Sequence, residues 1–291
     1  MSIAVAISVH DGIVLAADSA STLAAALPVP AAMGSQQAVL TVWNNANKIA
    51  NLLKGKSIGC VAYGSGSIGS ASISTLLKDF RLRLREGLED FNPDAYTMQE
   101  VTQRLSNFLG ERVAALGPND PRPSLGMMLG GYSADKTTGE GENLGEVWSI
   151  AMQNGVCSPP QNMRPQGPVG ISFAGEGESL ARLLTGFSPQ LPQVLQAILK
   201  PTPSPQQVAG LMGFVANKLQ APIVFAPMPI QDTIDLAEWL VHTAIMWSRF
   251  TPGAPVVGGP IESAAITKHE GFKWIRRKHY FQREFNEEVI E

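Results

Sequence analysis

Residues 2–18 read SIAVAISVHDGIVLAAD. Ile3, Val5, Ile7 and Val9 share one parity, and Ala4, Ala6 and Ser8 share the other. The stretch therefore predicts a strand with one face of large side chains and one of small ones. Asp11-Gly12 lies between two apolar runs and predicts a two-residue hairpin turn in which positive φ is accessible. Ile13 to Ala17 is then a second strand, ending at Asp18. Such a turn sets Asp18 across from Val5, roughly 10 Å along the strand from Ser2 at about 3.4 Å per residue. The small face permits close packing on one side, and the large face fills a layer on the other.

Residues 22–42 carry Pro, Ala and Gly without clear period and read as a long excursion. NKIANLL and SIGCVAYG are two short strands with a Lys-Gly turn between them. Ile73, Leu76, Leu77, Phe80 and Leu84 fall at helical spacing, opposite Lys78, Asp79, Arg81 and Arg85. Thr97 and Glu100 are placed as a capping box for a helix with the stripe Val101, Leu105, Phe108, Leu109 and Val113, which Gly117-Pro118 stops. Strands follow near 125–132, 146–152 and 169–174, with a helix at 178–186. Residues 187–230 hold two further helical pieces. DTIDLAEWLVHTAIMW is a helix starting at Asp232 or Thr233, and IESAAIT and GFKWI are the last strands before a charged tail. Helices come in blocks, which argues against a doubly wound parallel fold. Two antiparallel sheets face to face, with helices on both outer sides, satisfy the order: an α+β fold of four αββα layers. No period repeats and no clean linker divides the chain. Residues 1–291 read as a single domain with insertions near 22–42 and 187–230.

The 291 residues are 44% hydrophobic and 16% charged, with a net charge of −3. That charge gives no argument for nucleic acid. The low charged fraction fits a subunit buried in an assembly, or an Ala, Gly and Pro-rich proteome. Cys60 and Cys157 offer neither metal spacing nor a disulfide framework, which suits a reducing cytosol. No apolar run is long enough to span a membrane, and the N-terminus lacks the regions of a signal peptide, so the first strand reads as the mature start apart from Met1. GSGSIG lacks the Lys-Ser/Thr of a phosphate loop. His10 and His279 have no triad partner nearby in sequence. KWIRRKHYFQREF reads as a strand plus a tail that docks on a neighbouring subunit.

IAVAISVHDGIVLAADSAST, NKIANL, VAYGSGS, LGMMLGGY, VWSI and GGPIESAAIT, in this order around the helices, resemble the β-type subunits of proteasomes and their bacterial relatives. These are N-terminal-nucleophile hydrolases with a four-layer αββα fold. Counted back from the turn, Ser2 falls on the family's nucleophile, with Ser in place of the usual Thr and exposed by removal of Met1. The resemblance implies that Asp18 holds Lys48 and that the Gly64 N–H faces the oxyanion. It puts Ser21, Ala46, Ala62 and Gly66 around the substrate side chain. All four are small and uncharged, which suits a large uncharged side chain at the cleavage position and gives charged ones no partner. A serine hydroxyl needs a base. An α-amine, with a reference pKa of about 7.7–8.0, is partly neutral at working pH. Lys48 would lower that value by repulsion and stabilise charge developing on oxygen.

Each residue also has an ordinary explanation. Ser2 suits the position after Met, Asp18 can cap a loop through Ser19 or Ser21, Lys48 can be a solvated strand end, and Gly64 can serve packing. The chain also departs from the family. Glu176 stands where the family has a Gly-Ser-Gly serine, and it either holds the α-ammonium or weakens the amine as base. Ala254 and Val257 replace an Asp and a Ser. The expected function is a cytoplasmic, self-compartmentalising peptidase with no cofactor and no metal. It would act on peptides or unfolded proteins as a ring or spiral homo-oligomer, with an unknown unfoldase, if any, and without nucleic acid or membrane. The alternatives are a catalytically inactive shell or binding protein of the same fold, and an amidase for a small substrate.

Overall fold

The computed structural model describes residues 2–27, 36–87, 90–134, 144–164, 167 and 169–281. The fold is mixed α+β, built on antiparallel sheets. The chain opens with strands β1 (Ile3–Ser8), β2 (Ile13–Ala17), β3 (Ser21–Leu27), β4 (Gln36–Trp43), β5 (Ile49–Asn51) and β6 (Ile58–Gly64). Two short strands, β7 (Ser67–Ile68) and β8 (Ala71–Ser72), lead into helices α1 (Ile73–Arg85) and α2 (Met98–Ala114). Next come β9 (Leu125–Gly131), β10 (Glu146–Gln153), β11 (Val156–Cys157), β12 (Gln161–Asn162) and β13 (Gly170–Gly175). Helices α3 (Glu178–Thr185), α4 (Leu191–Ile198), α5 (Pro205–Leu219) and α6 (Ile230–Phe250) precede β14 (Glu262–Thr267) and β15 (Gly271–Arg276).

One sheet runs β13-β1-β2-β14-β15, and another runs β11-β10-β9-β6-β5. The size split in β1 determines what each face meets. Ala4 and Ala6, with Leu15 and Ala17 of β2, pack against Ile49, Val61, Met128 and Val147 of the second sheet. Ile3, Val5 and Ile7 face the other way, into Leu180 and Leu184 of α3 and Ile234, Ala237, Leu240 and Val241 of α6. The second sheet turns Ile58, Cys60, Met127 and Leu129 toward α1 and α2, which contribute Leu76, Leu77, Phe80, Leu105 and Leu109.

The β1–β2 register differs from the sequence expectation. Ala4 pairs with Ala17 and Ser8 with Ile13, so Val5 faces Ala16 rather than Asp18. The turn is centred one residue earlier, on His10-Asp11, and is closed by Val9 N–H donating to Gly12 C=O at 2.9 Å. Neither Asp11 nor Gly12 has positive φ. Gly12 is needed for space: a Cβ there would sit 2.9 Å from Ile266 O and 3.0 Å from Ile230 Cδ1. Moving the turn back by one residue carries Asp18 two residues toward the chain start, beside Ile3.

Other boundaries moved as well. The aperiodic stretch 22–42 contains the paired strands β3 and β4, because backbone pairing does not require a side-chain period. Helix α6 begins at Ile230, before Asp232, with Thr233 Oγ1 donating to Pro229 O at 3.0 Å. Thr97 caps α2 by accepting from Glu100 N–H, but the Glu100 carboxylate takes Arg104 instead of closing the box. Among the described residues no helix is long and apolar enough to cross a membrane.

The small face of β1 sets the sheet spacing, so Ala6→Leu should overpack the interface. A loss of about 1–3 kcal/mol is expected, read as a lower denaturant midpoint with the slope unchanged.

Candidate active site

Asp18 is fully buried and ends β2. Its carboxylate accepts four hydrogen bonds. Oδ1 takes Ile3 N–H at 3.0 Å and Lys48 Nζ at 2.5 Å. Oδ2 takes Ala20 N–H at 3.0 Å and Gly258 N–H at 3.1 Å. These donors fill the oxygen sites of an ionised carboxyl group in a water-free setting.

Lys48 precedes β5 and is 7% exposed. Its main chain is fixed by Ala62 N–H, which donates to Lys48 O at 2.8 Å. Burial lowers the pKa of its amine, while the attraction of Asp18 opposes that shift. Ser2 is 3% exposed, and its carbonyl accepts Glu176 N–H at 2.7 Å. The start of β1 is thus held at three successive points: Ser2 O by Glu176, Ile3 N by Asp18, and Ile3 O by Asp18 N–H at 3.4 Å.

A cavity of about 890 Å³ opens over this centre. Ser2, Lys48 and Gly64 line it, as do all four small residues expected around the substrate: Ser21, Ala46, Ala62 and Gly66. Gly64 has φ +88°, and a Cβ there would lie 2.7 Å from Ser124 O, so only glycine fits. Thr22 and Ala24 of β3 and Val39 and Trp43 of β4 form part of the wall, so the 22–42 excursion borders the site.

The arrangement differs from the sequence reading in three respects. Asp18 does not stand far along the strand from the nucleophile position; it binds the amide of the next residue. Glu176 contributes its backbone N–H to Ser2, while the residue is exposed and does not line the cavity. The four small residues are also joined by exposed Lys78 of α1, which sequence reading did not place at the site, and none of the described lining residues is acidic. Sequence reasoning missed Lys78 because it falls on the polar stripe of an amphipathic helix, where a lysine carries no signal of its own. It missed Gly258 because that residue acts through its main chain.

No protein-family model matches the chain, and no curated protein matches it in sequence. The geometry alone therefore bears on what the site can do. It offers a hydroxyl, a buried ammonium held by a carboxylate, and a roomy cavity over both.

Asp18→Ala would leave the buried Lys48 cation and three backbone N–H groups without their acceptor. Breaking a buried pair in this way typically costs about 3–5 kcal/mol. Chemical denaturation should show a loss of that size, with Asp18→Asn losing less because the amide oxygen still accepts.

Proposed function

We propose that this chain is a serine-variant N-terminal-nucleophile peptidase, with the four-layer αββα arrangement of the proteasome-like hydrolases it resembles. The observation that carries the reading is the Asp18 carboxylate. One of its oxygens holds both the amide next to Ser2 and the amine of Lys48, at the floor of a cavity that both Ser2 and Lys48 line. The three packed clusters, helix to sheet, sheet to sheet and sheet to helix, support the layered arrangement.

In this reading Met1 is removed and the Ser2 α-amine becomes the base. Ser2 Oγ attacks the scissile carbonyl carbon and its proton passes to the α-amine. The Oγ–C bond forms and the oxyanion develops opposite the Gly64 backbone. The α-ammonium then protonates the leaving nitrogen as the C–N bond breaks. Water attacks the resulting ester with the same amine as base, releasing the carboxylic acid and regenerating Ser2. Lys48 stays protonated and acts through its charge. It lowers the pKa of the α-amine by repulsion and stabilises the oxyanion.

Intact mass spectrometry should show a chain without Met1 that gains one adduct at Ser2 from a β-lactone acylating agent. Ser2→Ala should abolish the adduct and peptide hydrolysis together. Lys48→Ala should lower kcat by about 10²–10³-fold. A chain that keeps Met1 and forms no adduct overturns the reading in favour of an inactive shell. Turnover of small amides without peptides would point to the amidase.

The same reading places the chain in a homo-oligomer, with its cytoplasmic setting and peptide substrates following from the resemblance. The apolar surface supports an assembly: Phe214 of α5, Phe225, and Trp239, Trp247 and Phe250 of α6 are all exposed. Sedimentation at micromolar concentration should give a mass several times that of the chain. A stable monomer would count against compartmentalisation without touching the chemistry of Ser2.

A further inference from the structure

A second ion pair, with its carboxylate buried and its lysine part-buried, lies behind the first. After β15 the chain turns inward, and Lys278 Nζ meets Glu262 Oε2 at 2.8 Å, with the two side chains 14% and 2% exposed. The same amine donates to Ser19 Oγ at 2.8 Å. Glu262 sits at the start of β14, paired with Ala17, the residue before Asp18. The sequence reading sent the basic tail toward a neighbouring subunit; Lys278, within that stretch, pairs with residues of its own chain.

Ser19 is the junction between the two pairs. Its hydroxyl donates to Pro260 O at 2.6 Å, and its N–H donates to Gly258 O at 2.9 Å. Its carbonyl accepts Ala46 N–H at 2.9 Å, two residues from Lys48. Gly258 N–H in turn binds Asp18 Oδ2. Lys278 thus fixes the residue that ties the Asp18 turn to the segment carrying Lys48. It also neutralises Glu262. Without it, one buried lysine would face two buried carboxylates, and Lys48 would be shared between them.

We propose that Lys278 is a positioning residue of the Ser2 site, holding Ser19 in place and, with Glu262, keeping Lys48 on Asp18. The effect on catalysis rests on the peptidase reading above, whereas the effect on Lys48 does not. The charges around Lys48 support the assignment: Lys278 lowers its pKa and Glu262 raises it, behind the larger effects of burial and Asp18. Two further charged groups sit next to this cluster on β15 and α6. Arg276 pairs with Glu238 at 3.3 Å, and Glu238 also accepts from Ser263 Oγ at 2.6 Å.

The test follows the acylation of Lys48 by an amine-reactive reagent at trace level across pH, read by peptide mass spectrometry on the full chain. Only the free amine reacts, so the midpoint reports Lys48 directly. Lys278→Met removes a cation and leaves Glu262 charged, so the midpoint should move to higher pH. Glu262→Gln leaves Lys278 unpaired, so it should move to lower pH. The double variant should fall between them, and Lys278→Arg should stay near the native chain. Lys278→Gln keeps a donor for Ser19 and replaces the methionine variant if that one does not fold. In peptide hydrolysis the neutral variants should lose about tenfold or more in kcat with KM within about twofold, and Lys278→Arg should recover most of it. Midpoints that stay put, or that shift the same way in the two single variants, overturn the proposal. If the native chain cleaves nothing, the midpoints still decide the positioning role, and only the peptidase reading falls.

Discussion

The four hydrogen bonds to the Asp18 carboxylate join parts of the chain that are otherwise far apart in sequence. Ile3 belongs to β1, Ala20 leads into β3, Lys48 leads into β5, and Gly258 lies just before β14. An ionised carboxylate in a dry interior is tolerated only when its oxygens are satisfied. Each of these segments must therefore arrive in place for any of them to be stable there. The floor of the cavity is the consequence. Ser2 is held beside Asp18 by the backbone on both sides, and Lys48 has one direction in which its charge is compensated.

The packing explains why this point can be so rigid. Ala4 and Ala6 let the two larger sheets approach closely, while Ile3, Val5 and Ile7 bury against α3 and α6. The start of β1 is therefore gripped on both faces and paired on both edges, by β13 and β2. A nucleophile placed there gains orientation from the core rather than from a loop. The cavity wall is less regular: the base of the β3–β4 pair, the turn around Asn44 to Asn47 and the first turns of α1. The packed floor and the less regular wall are thus contributed by different elements.

The charge arrangement has the same division. Asp18 with Lys48 and Glu262 with Lys278 form two ion pairs, the first buried and the second part-buried, linked through Ser19. Lys78 stands in the cavity wall, in contact with solvent. A substrate carboxylate would meet a cation there, whereas the Asp18 carboxylate beneath is already occupied by its own four donors. The four residues expected around a substrate side chain, Ser21, Ala46, Ala62 and Gly66, are small and neutral, and they share the lining with Lys48 and Lys78.

The sequence alone established what depends on local period. Alternation placed Ala4 and Ala6 opposite Ile3 and Val5 whatever the partner, because parity is intrinsic to a strand. Helical spacing placed the buried stripes of α1 and α2, and Thr97 was legible as a cap because its hydroxyl needs only the amide three residues on. Ser2, Asp18, Lys48 and Gly64 were grouped only through the resemblance; the structure sets Ser2, Lys48 and Gly64 on one cavity, with Lys48 bonded to Asp18. Tertiary structure decided the register. A shift of two residues preserves parity, so nothing in β1 or β2 could distinguish Val5 from Ile3 as the neighbour of Asp18. At the observed turn position a Cβ on Gly12 would crowd Ile266 and Ile230, residues more than 200 positions away, so the packing that accepts this register is not written in the hairpin itself. The Glu262–Lys278 pair was hidden for the same reason. A glutamate opening a strand and a lysine in a basic tail look solvated until the fold buries them together, and the cost of leaving either one alone in a dry core is what holds them there.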